Sequence, residues 1–193
     1  QNNIKKMFAY SSIAQMGYIT LGIAIANHSG LVGSLVHIIN HALIKGTIFM
    51  AIGCFVMKLN STTIEDFSGI GKKMPLTMTA FTIASLSLIG IPGTVGFISK
   101  WYIITGAIEK GWWWLVISIA LSSLLALIYV GRIIEIAWFQ ESKTKENTVT
   151  LSREMIGVTL IASITTLYFG LNTELTVDLA KIAADSLLPG ILR

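Results

Sequence analysis

Five long apolar runs dominate the sequence, at approximately residues 7–26, 31–57, 76–108, 112–139 and 155–171. A helix needs about 20 predominantly apolar residues to cross the hydrocarbon core of a bilayer, and each run reaches or nearly reaches that length. Backbone groups in lipid must be satisfied within the protein itself. The runs therefore predict an all-α fold, a polytopic transmembrane bundle of about five membrane segments.

The composition agrees with a membrane protein and argues against two other classes. Only 12% of the residues are charged, about half of the roughly 25% typical of soluble domains, so a water-soluble surface is excluded. The formal net charge is +4, but the basic residues lie in short segments between the runs rather than in a stripe with interleaved aromatics. No nucleic-acid partner is therefore expected. The one cysteine, Cys54, lies inside an apolar run and predicts no disulfide framework.

The charged loops predict an orientation in the membrane. Basic residues gather in three segments that the helix count places on one side: Lys5, Lys6, Lys58, Lys72, Lys73, Lys143, Lys145 and Arg153. The short loops on the other side carry only Lys110. The positive-inside rule therefore predicts that the basic side faces the cytoplasm.

The third run is interrupted by the segment Gly-Ile-Pro-Gly-Thr-Val-Gly at residues 90–96. Pro92 removes a helical hydrogen-bond donor, and the glycines lower the cost of unwinding. Unbroken, the run would form a helix of roughly 50 Å, which is too long for one ordinary crossing. The pattern predicts a discontinuous helix with its hinge at Gly90, Pro92, Gly93 and Gly96. Such helices commonly mark ion sites in transporters.

Lys45 lies at the middle of the second run, where a lysine near the bilayer midplane costs roughly 2.5–3.5 kcal/mol on insertion scales. His41 and His37 precede it at intervals of four residues, which places all three on one stripe of a helix. Asn40 lies close to that stripe. This face of the helix is predicted to contact protein or water rather than lipid.

Lys100 is a second intramembrane lysine, about one turn beyond the predicted break, with hydroxyl groups nearby at Thr94 and Ser99. A buried lysine can take up and release a proton near neutral pH, which arginine effectively never does. Two such lysines on neighbouring helices, with His37 and His41 between them, predict a proton relay.

Other interpretations of these residues stay open at this point. The lysines could pair with carboxylates of another subunit for assembly only, and either histidine could be hydrogen-bonded within the core. The two histidines could also belong to a metal or haem site. No Cys, Asp or Glu of the same helix completes a coordination shell for them, so neither a metal nor a cofactor is predicted.

The residues after the fifth run predict a separate unit. Glu174, Asp178, Lys181 and Asp185 recur at helical spacing among apolar residues, which predicts an amphipathic helix lying at the interface or docking on a neighbour. The chain is accordingly divided into a transmembrane part, residues 1–171, and a C-terminal amphipathic segment, residues 172–193. It begins with Gln1 rather than Met, which we interpret as a cut inside a longer protein.

Three segments together resemble one known family, the antiporter-like membrane subunits shared by Mrp-type multisubunit cation/proton antiporters, respiratory complex I and membrane-bound hydrogenases. They are IKKMFAYSSIAQMGY at residues 4–18, HIINHALIK at residues 37–45 and GIPGTVGFISK at residues 90–100. Their order and spacing make the combination specific. The resemblance is strong from residue 4 to about residue 139 and weak afterwards.

The resemblance implies roles for individual residues. Lys45 matches the central-axis lysine of the family, and His37 and His41 match the histidines that precede it. Lys100 matches the terminal ionisable residue of the broken helix, from which protons pass toward one side of the membrane. The family fold contains two inverted five-helix repeats, and this chain resembles the second repeat with the C-terminal end. The first repeat, with its coupling Glu and Lys pair, is absent.

The resemblance also implies a function. Lysine at residue 100 and the short tail favour the Mrp branch of the family and its D-type member. The resemblance therefore implies a proton-translocating membrane subunit of a multisubunit Na⁺(K⁺)/H⁺ antiporter in a bacterial inner membrane. Its partners would be other membrane subunits, protons, Na⁺ or K⁺, and the lipid bilayer. The alternative is a pumping subunit of NADH:quinone oxidoreductase or a membrane-bound hydrogenase, and a third is a structural scaffold. The chain itself is predicted not to be an enzyme, since no nucleotide, flavin or iron–sulfur motif occurs in it.

Overall fold

A computed structural model describes residues 1–142 and 152–191 of the chain. The described residues form helices α1 (Ile4–Ile25), α2 (His28–Leu59), a short 3₁₀ helix (Ile64–Phe67), α3 (Ile70–Lys73), α4 (Pro75–Ile89), α5 (Val95–Glu109), α6 (Trp113–Phe139), α7 (Arg153–Leu171) and α8 (Glu174–Ile191). Their one β pairing is an isolated bridge between Asn3 and Thr63. The all-α prediction is confirmed.

Four of the described helices, α1, α2, α6 and α7, are long and apolar enough to cross a membrane. The other predicted crossing consists of two halves, α4 and α5, each of 15 residues. The helix break between them, residues 90–94, falls where the proline and glycines predict it. The fold is thus a polytopic helical bundle with one discontinuous helix, as the sequence predicts.

Helix α2 is the central element of the bundle. It is 32 residues long, and α1, α4, α5, α7 and α8 all pack against it. Small residues allow this close packing, because a side chain at Gly33 would collide with Ile103 and one at Gly106 would collide with the backbone of Gly30. Polar residues of α2 are therefore enclosed by protein on several sides.

The described basic loops lie at one end of the bundle. The backbone N–H of Ile4 donates to the carbonyl of Thr62 at 2.9 Å, and the backbone N–H of Ile64 donates to the backbone carbonyl of Asn2 at 2.9 Å. These bonds join the lysines that begin α1 to the segment that follows α2. Lys143 and Lys145 lie outside the described residues, and the cytoplasmic location of this end stays a prediction.

A hydrogen-bonded cluster ties the opposite end together. Asn27 Nδ2 donates to the carbonyl of Gly106 at 2.9 Å and to Glu109 Oε2 at 2.8 Å, and Ser29 Oγ donates to Glu109 Oε1 at 2.6 Å. The Glu109 carboxylate therefore lies at the N-terminus of α2, where the helix dipole favours a negative charge. The cluster fixes the end of α5 to the start of α2.

We expect Glu109→Ala to lower the apparent melting temperature of the purified protein. The substitution removes the acceptor for Asn27 and Ser29, and an exposed charge-assisted cluster of this kind contributes about 1 kcal/mol. Lys110→Ala, at the next residue, is the matched control. Tryptophan fluorescence during heating measures both variants, and equal melting temperatures would show that the cluster contributes nothing to stability.

Helix α8 packs along the first half of α2. Val177, Ala180 and Ala184 of α8 share a buried cluster with Leu31, Val32 and Val36 of α2. His28 Nε2 also lies 3.2 Å from Asp185 Oδ1. The predicted amphipathic helix is therefore present, and its buried stripe docks on α2 of its own chain. The division of the chain at residues 171 and 172 stays a prediction.

Candidate functional site

Lys45 extends from the middle of α2 toward α1. Its Nζ donates to the backbone carbonyl of Phe8 at 2.9 Å and to Ser11 Oγ, and it lies 5.4 Å from the centroid of the Phe8 ring. Only 6% of the residue is exposed. The amine is therefore held by a carbonyl, a hydroxyl and an aromatic face of one neighbouring helix.

Lys100 reaches back across the helix break from α5 to the end of α4. Its Nζ donates to the carbonyls of Leu88 at 3.2 Å and Ile89 at 2.7 Å, and to Ser123 Oγ of α6 at 2.9 Å. The last four carbonyls of a helix lack donors from their own helix, and a cation there interacts favourably with the helix dipole. Lys100 therefore caps α4. The centroid of the Tyr18 ring lies 5.0 Å from Lys100 Nζ.

His37 and His41 of α2 form a stacked pair whose ring centroids are 6.3 Å apart. His37 Nδ1 hydrogen-bonds with Ser99 Oγ at 2.8 Å, and its ring lies 5.5 Å from that of Tyr18. The Nε2 atoms of His37 and His41 are buried, and neither has a hydrogen-bond partner among the described residues. These nitrogens are available to bind water, as buried polar groups commonly do.

Lys45, His41 and His37 of α2 and Lys100 of α5 follow one another in space. His41 lies one helical turn before Lys45 on α2, and its ring stacks on that of His37. The Tyr18 ring contacts both His37, with ring centroids 5.5 Å apart, and Lys100, whose Nζ lies 5.0 Å from the ring centroid. Within the described residues neither amine forms an ion pair with a carboxylate. No three His, Cys, Asp or Glu residues of the described part are grouped to hold a metal ion. The arrangement is suited to passing protons between neutral or cationic groups.

Two glycines give the helix break its conformation. Gly90 and Gly93 have φ angles of 94° and 86°, in the left-handed region that favours glycine. Pro92 lies between them, where no helical donor is needed. Thr94 Oγ1 donates to the carbonyl of Ile91 at 2.7 Å, so the hydroxyl closes the turn and is not directed at Lys100.

The start of α5 is tied to α2 and to α4. Asn40 Nδ2 donates to the carbonyl of Val95 at 2.6 Å, which joins α2 to α5, while Asn40 Oδ1 is buried with no partner among the described residues. The backbone N–H of Gly96 donates to Ser87 Oγ of α4 at 3.2 Å. Gly96, predicted as part of the hinge, therefore lies in the first turn of α5, where its lack of a side chain allows close packing.

A cavity of about 400 Å³ opens beside Lys100 between α5 and α6. Its walls are mainly apolar and include Phe97, Trp101, Leu124 and Leu127. Lys100 and Ser123 form the polar part of its lining. The amine is thus next to an opening, although only 5% of Lys100 is exposed.

Sequence reasoning missed three polar residues that contact the lysines or histidines. Ser11 and Tyr18 are buried on one face of α1 with Gln15 between them, and their spacing of four and three residues in an apolar helix was the available signal. Ser123 gave no such signal. The preceding residue, Ser122, is also a serine, and only the packing of α6 shows which of the two hydroxyls reaches Lys100.

Two thirds of the chain match one protein-family description. Residues 1–126 match the model described as NADH:quinone oxidoreductase/Mrp antiporter, TM. The chain belongs to this antiporter family. Membership confirms the resemblance seen in the three segments and establishes the chain as part of a multi-pass membrane protein.

Relatives in the antiporter family include subunits of redox complexes. NADH-quinone oxidoreductase subunit N of Desulforudis audaxviator is 47% identical over 140 residues, which cover 72% of this chain and 28% of the relative. F(420)H(2) dehydrogenase subunit N of Methanosarcina mazei is 32% identical over 198 residues, which cover 98% of this chain and 40% of the relative. This chain therefore spans less than half the length of these curated relatives.

Solved structures with the same fold belong to multisubunit membrane complexes. The membrane-bound sulfane sulfur reductase, an archaeal respiratory membrane complex, matches with a TM-score of 0.87 and 33% identity over 97% of this chain and 38% of that chain. The Mrp complex from Dietzia sp. DQ12-45-1b matches with a TM-score of 0.85 over 100% of this chain and 45% of that chain. Its identity is 23%, so this likeness concerns the fold alone.

Proposed function

We propose that this chain forms the second half of a proton-translocating, non-catalytic membrane subunit of a redox-driven complex. The observation that carries the proposal is the series Lys45, His41, His37 and Lys100, in which both lysines, His37 and the Nε2 atom of His41 are buried. Neither lysine forms an ion pair with a carboxylate among the described residues. Charges inside a bilayer are expensive and usually mark ion pathways.

In the proposed mechanism, Lys45 receives a proton while its amine is held by Phe8 and Ser11. The proton passes along water bound at the Nε2 atoms of His41 and His37. It reaches Lys100, whose amine borders both the helix break and the cavity. A proton on one group lowers the proton affinity of the next, so coupling between the sites is electrostatic.

The comparisons favour a redox complex over an Mrp antiporter as the context of this subunit. The two relatives described above, both more than 30% identical, bear names of NADH-quinone oxidoreductase and F(420)H(2) dehydrogenase subunits, and the reductase structure is 33% identical. The sequence-based preference for the D-type member of the Mrp branch is not confirmed, because the Mrp likeness is one of fold. A bacterial inner membrane likewise stays a prediction, since one relative is from Methanosarcina mazei.

Everted membrane vesicles that contain the complete complex test this proposal. We expect oxidation of the electron donor to acidify the vesicle lumen without added Na⁺ or K⁺, and we expect Lys45→Gln to abolish the acidification. Lys110→Gln is the control, because Lys110 is an exposed lysine outside this series. Acidification that requires a Na⁺ or K⁺ gradient and no electron donor would overturn the redox assignment and favour the antiporter.

A further inference from the structure

The end of α7 contacts the helix break directly. A Cβ atom at Gly170 would lie 2.7 Å from the carbonyl oxygen of Gly93 and 2.7 Å from the Cα of Thr94. These are backbone atoms, so no side-chain rotation could relieve the collision. The next residue, Leu171, also lies beside Gly93.

The buried face of α7 is built for this close approach. Its buried residues are all small: Thr159, Ser163, Thr166 and Gly170. Small residues allow helix backbones in membranes to approach closely. Gly157, on the same helix, has no atom within 4 Å of the position of its missing Cβ. Two glycines of one helix therefore differ in whether they touch the break.

Helix α7 bridges the two halves of the broken helix. Helix α7 packs against both α4 and α5, and Thr173, between α7 and α8, lines a groove with Phe97, Ile98 and Trp101 of α5. The turn of the break is closed by hydrogen bonds such as that from Thr94 N to the carbonyl of Ile91 at 3.2 Å, and α7 packs on it at Gly93 and Thr94. The packing of α7 therefore contributes to the geometry of the break.

We infer that Gly170 is a positioning residue for proton release at Lys100. By resting on the peptide bond between Gly93 and Thr94, α7 holds the bend at which the carbonyls of Leu88 and Ile89 face the Lys100 amine. This inference rests on the proposed function, because the consequence of the bend is the placement of the amine that releases the proton. Gly170 itself does not touch the proton.

The test compares Gly170→Ala with Gly157→Ala in the complete complex. Hydrogen–deuterium exchange of the amides of residues 90–97 reports the geometry of the break, and donor-driven acidification of vesicles across a range of pH reports proton transfer. For Gly170→Ala we expect faster exchange, a shifted pH profile and a loss of rate of about tenfold or more, since small misplacements of reacting groups have large effects. For Gly157→Ala we expect no change in either measurement.

The outcomes separate this inference from the proposed function. Equal behaviour of Gly170→Ala and Gly157→Ala would overturn the role of Gly170. The same conclusion would follow if Gly170→Ala showed faster exchange but unchanged pumping while Lys100→Met was inactive. A Lys100→Met variant that pumps normally would overturn the proposed function instead. If Gly170→Ala fails to assemble, Leu171→Ala replaces it, because it removes the side chain beside Gly93 without adding a collision. Faster exchange and slower pumping in that variant would support the inference, and unchanged values would overturn it.

Discussion

Lys100→Met is expected to abolish proton transfer in the complete complex, and Lys100→Arg is expected to be inactive as well. Methionine fills a similar space but carries no proton. Arginine can still donate to Leu88, Ile89 and Ser123 and keeps the positive charge at the end of α4, but it effectively never releases its proton. Removal of a group that transfers a proton reduces the rate by about 10²-fold or more. Acidification of everted vesicles, normalised to assembled complex, measures the effect.

The Lys100→Arg variant distinguishes a proton-relay role of Lys100 from a purely structural role of its positive charge. The amine of Lys100 has two roles in the structure, since it caps α4 and borders the cavity, and methionine removes both roles at once. Arginine preserves the cap and removes the exchange of protons. Full activity of Lys100→Arg together with loss in Lys100→Met would show that only the charge matters, and the relay would be wrong. Lys110→Met and Lys110→Arg, at the exposed end of α5, serve as controls.

The transmembrane helices and the break were predictable from local signals alone. Apolar runs determine where helices lie in a bilayer, and Pro92 with its neighbouring glycines determines where one of them must end. The stripe of Lys45, His41 and His37 was also visible, because spacing along one helix fixes the shared face. Each of these features depends on residues that are close together in the sequence.

Contacts between helices could not be predicted in the same way. Lys100 contacts Ser123 because α6 packs on α5 in one register, and a rotation of α6 would present Ser122 instead. The docking of α8 on α2 depends on whether another helix already covers Leu31, Val32 and Val36. The sequence near these residues does not indicate this. The role of Gly96 was not predictable either, because it depends on the close approach of Ser87 from α4, the other half of the broken helix.

Gly96→Ala is expected to prevent stable assembly of the subunit. An added Cβ would occupy the position of the Ser87 carbonyl oxygen, which belongs to the backbone of α4 and cannot rotate away. Overpacking of a buried contact costs typically 1–3 kcal/mol, and more where backbone must move. The two halves would have to separate, which would also pull Lys100 away from the carbonyls of Leu88 and Ile89. The yield of assembled complex and its melting temperature measure the effect.

Gly131→Ala gives the matched control for this prediction, with an effect of opposite sign. Gly131 lies inside α6 with no atom within 4 Å of its missing Cβ, and replacing an unconstrained helical glycine with alanine favours the helix by roughly 0.5–1 kcal/mol. The same chemical change should therefore raise the melting temperature in α6 and lower it sharply in α5. If Gly96→Ala assembles and melts like Gly131→Ala, the halves of the broken helix are not held by this contact. The placement of Lys100 would then depend on α7 and α6 rather than on the packing of α4 against α5.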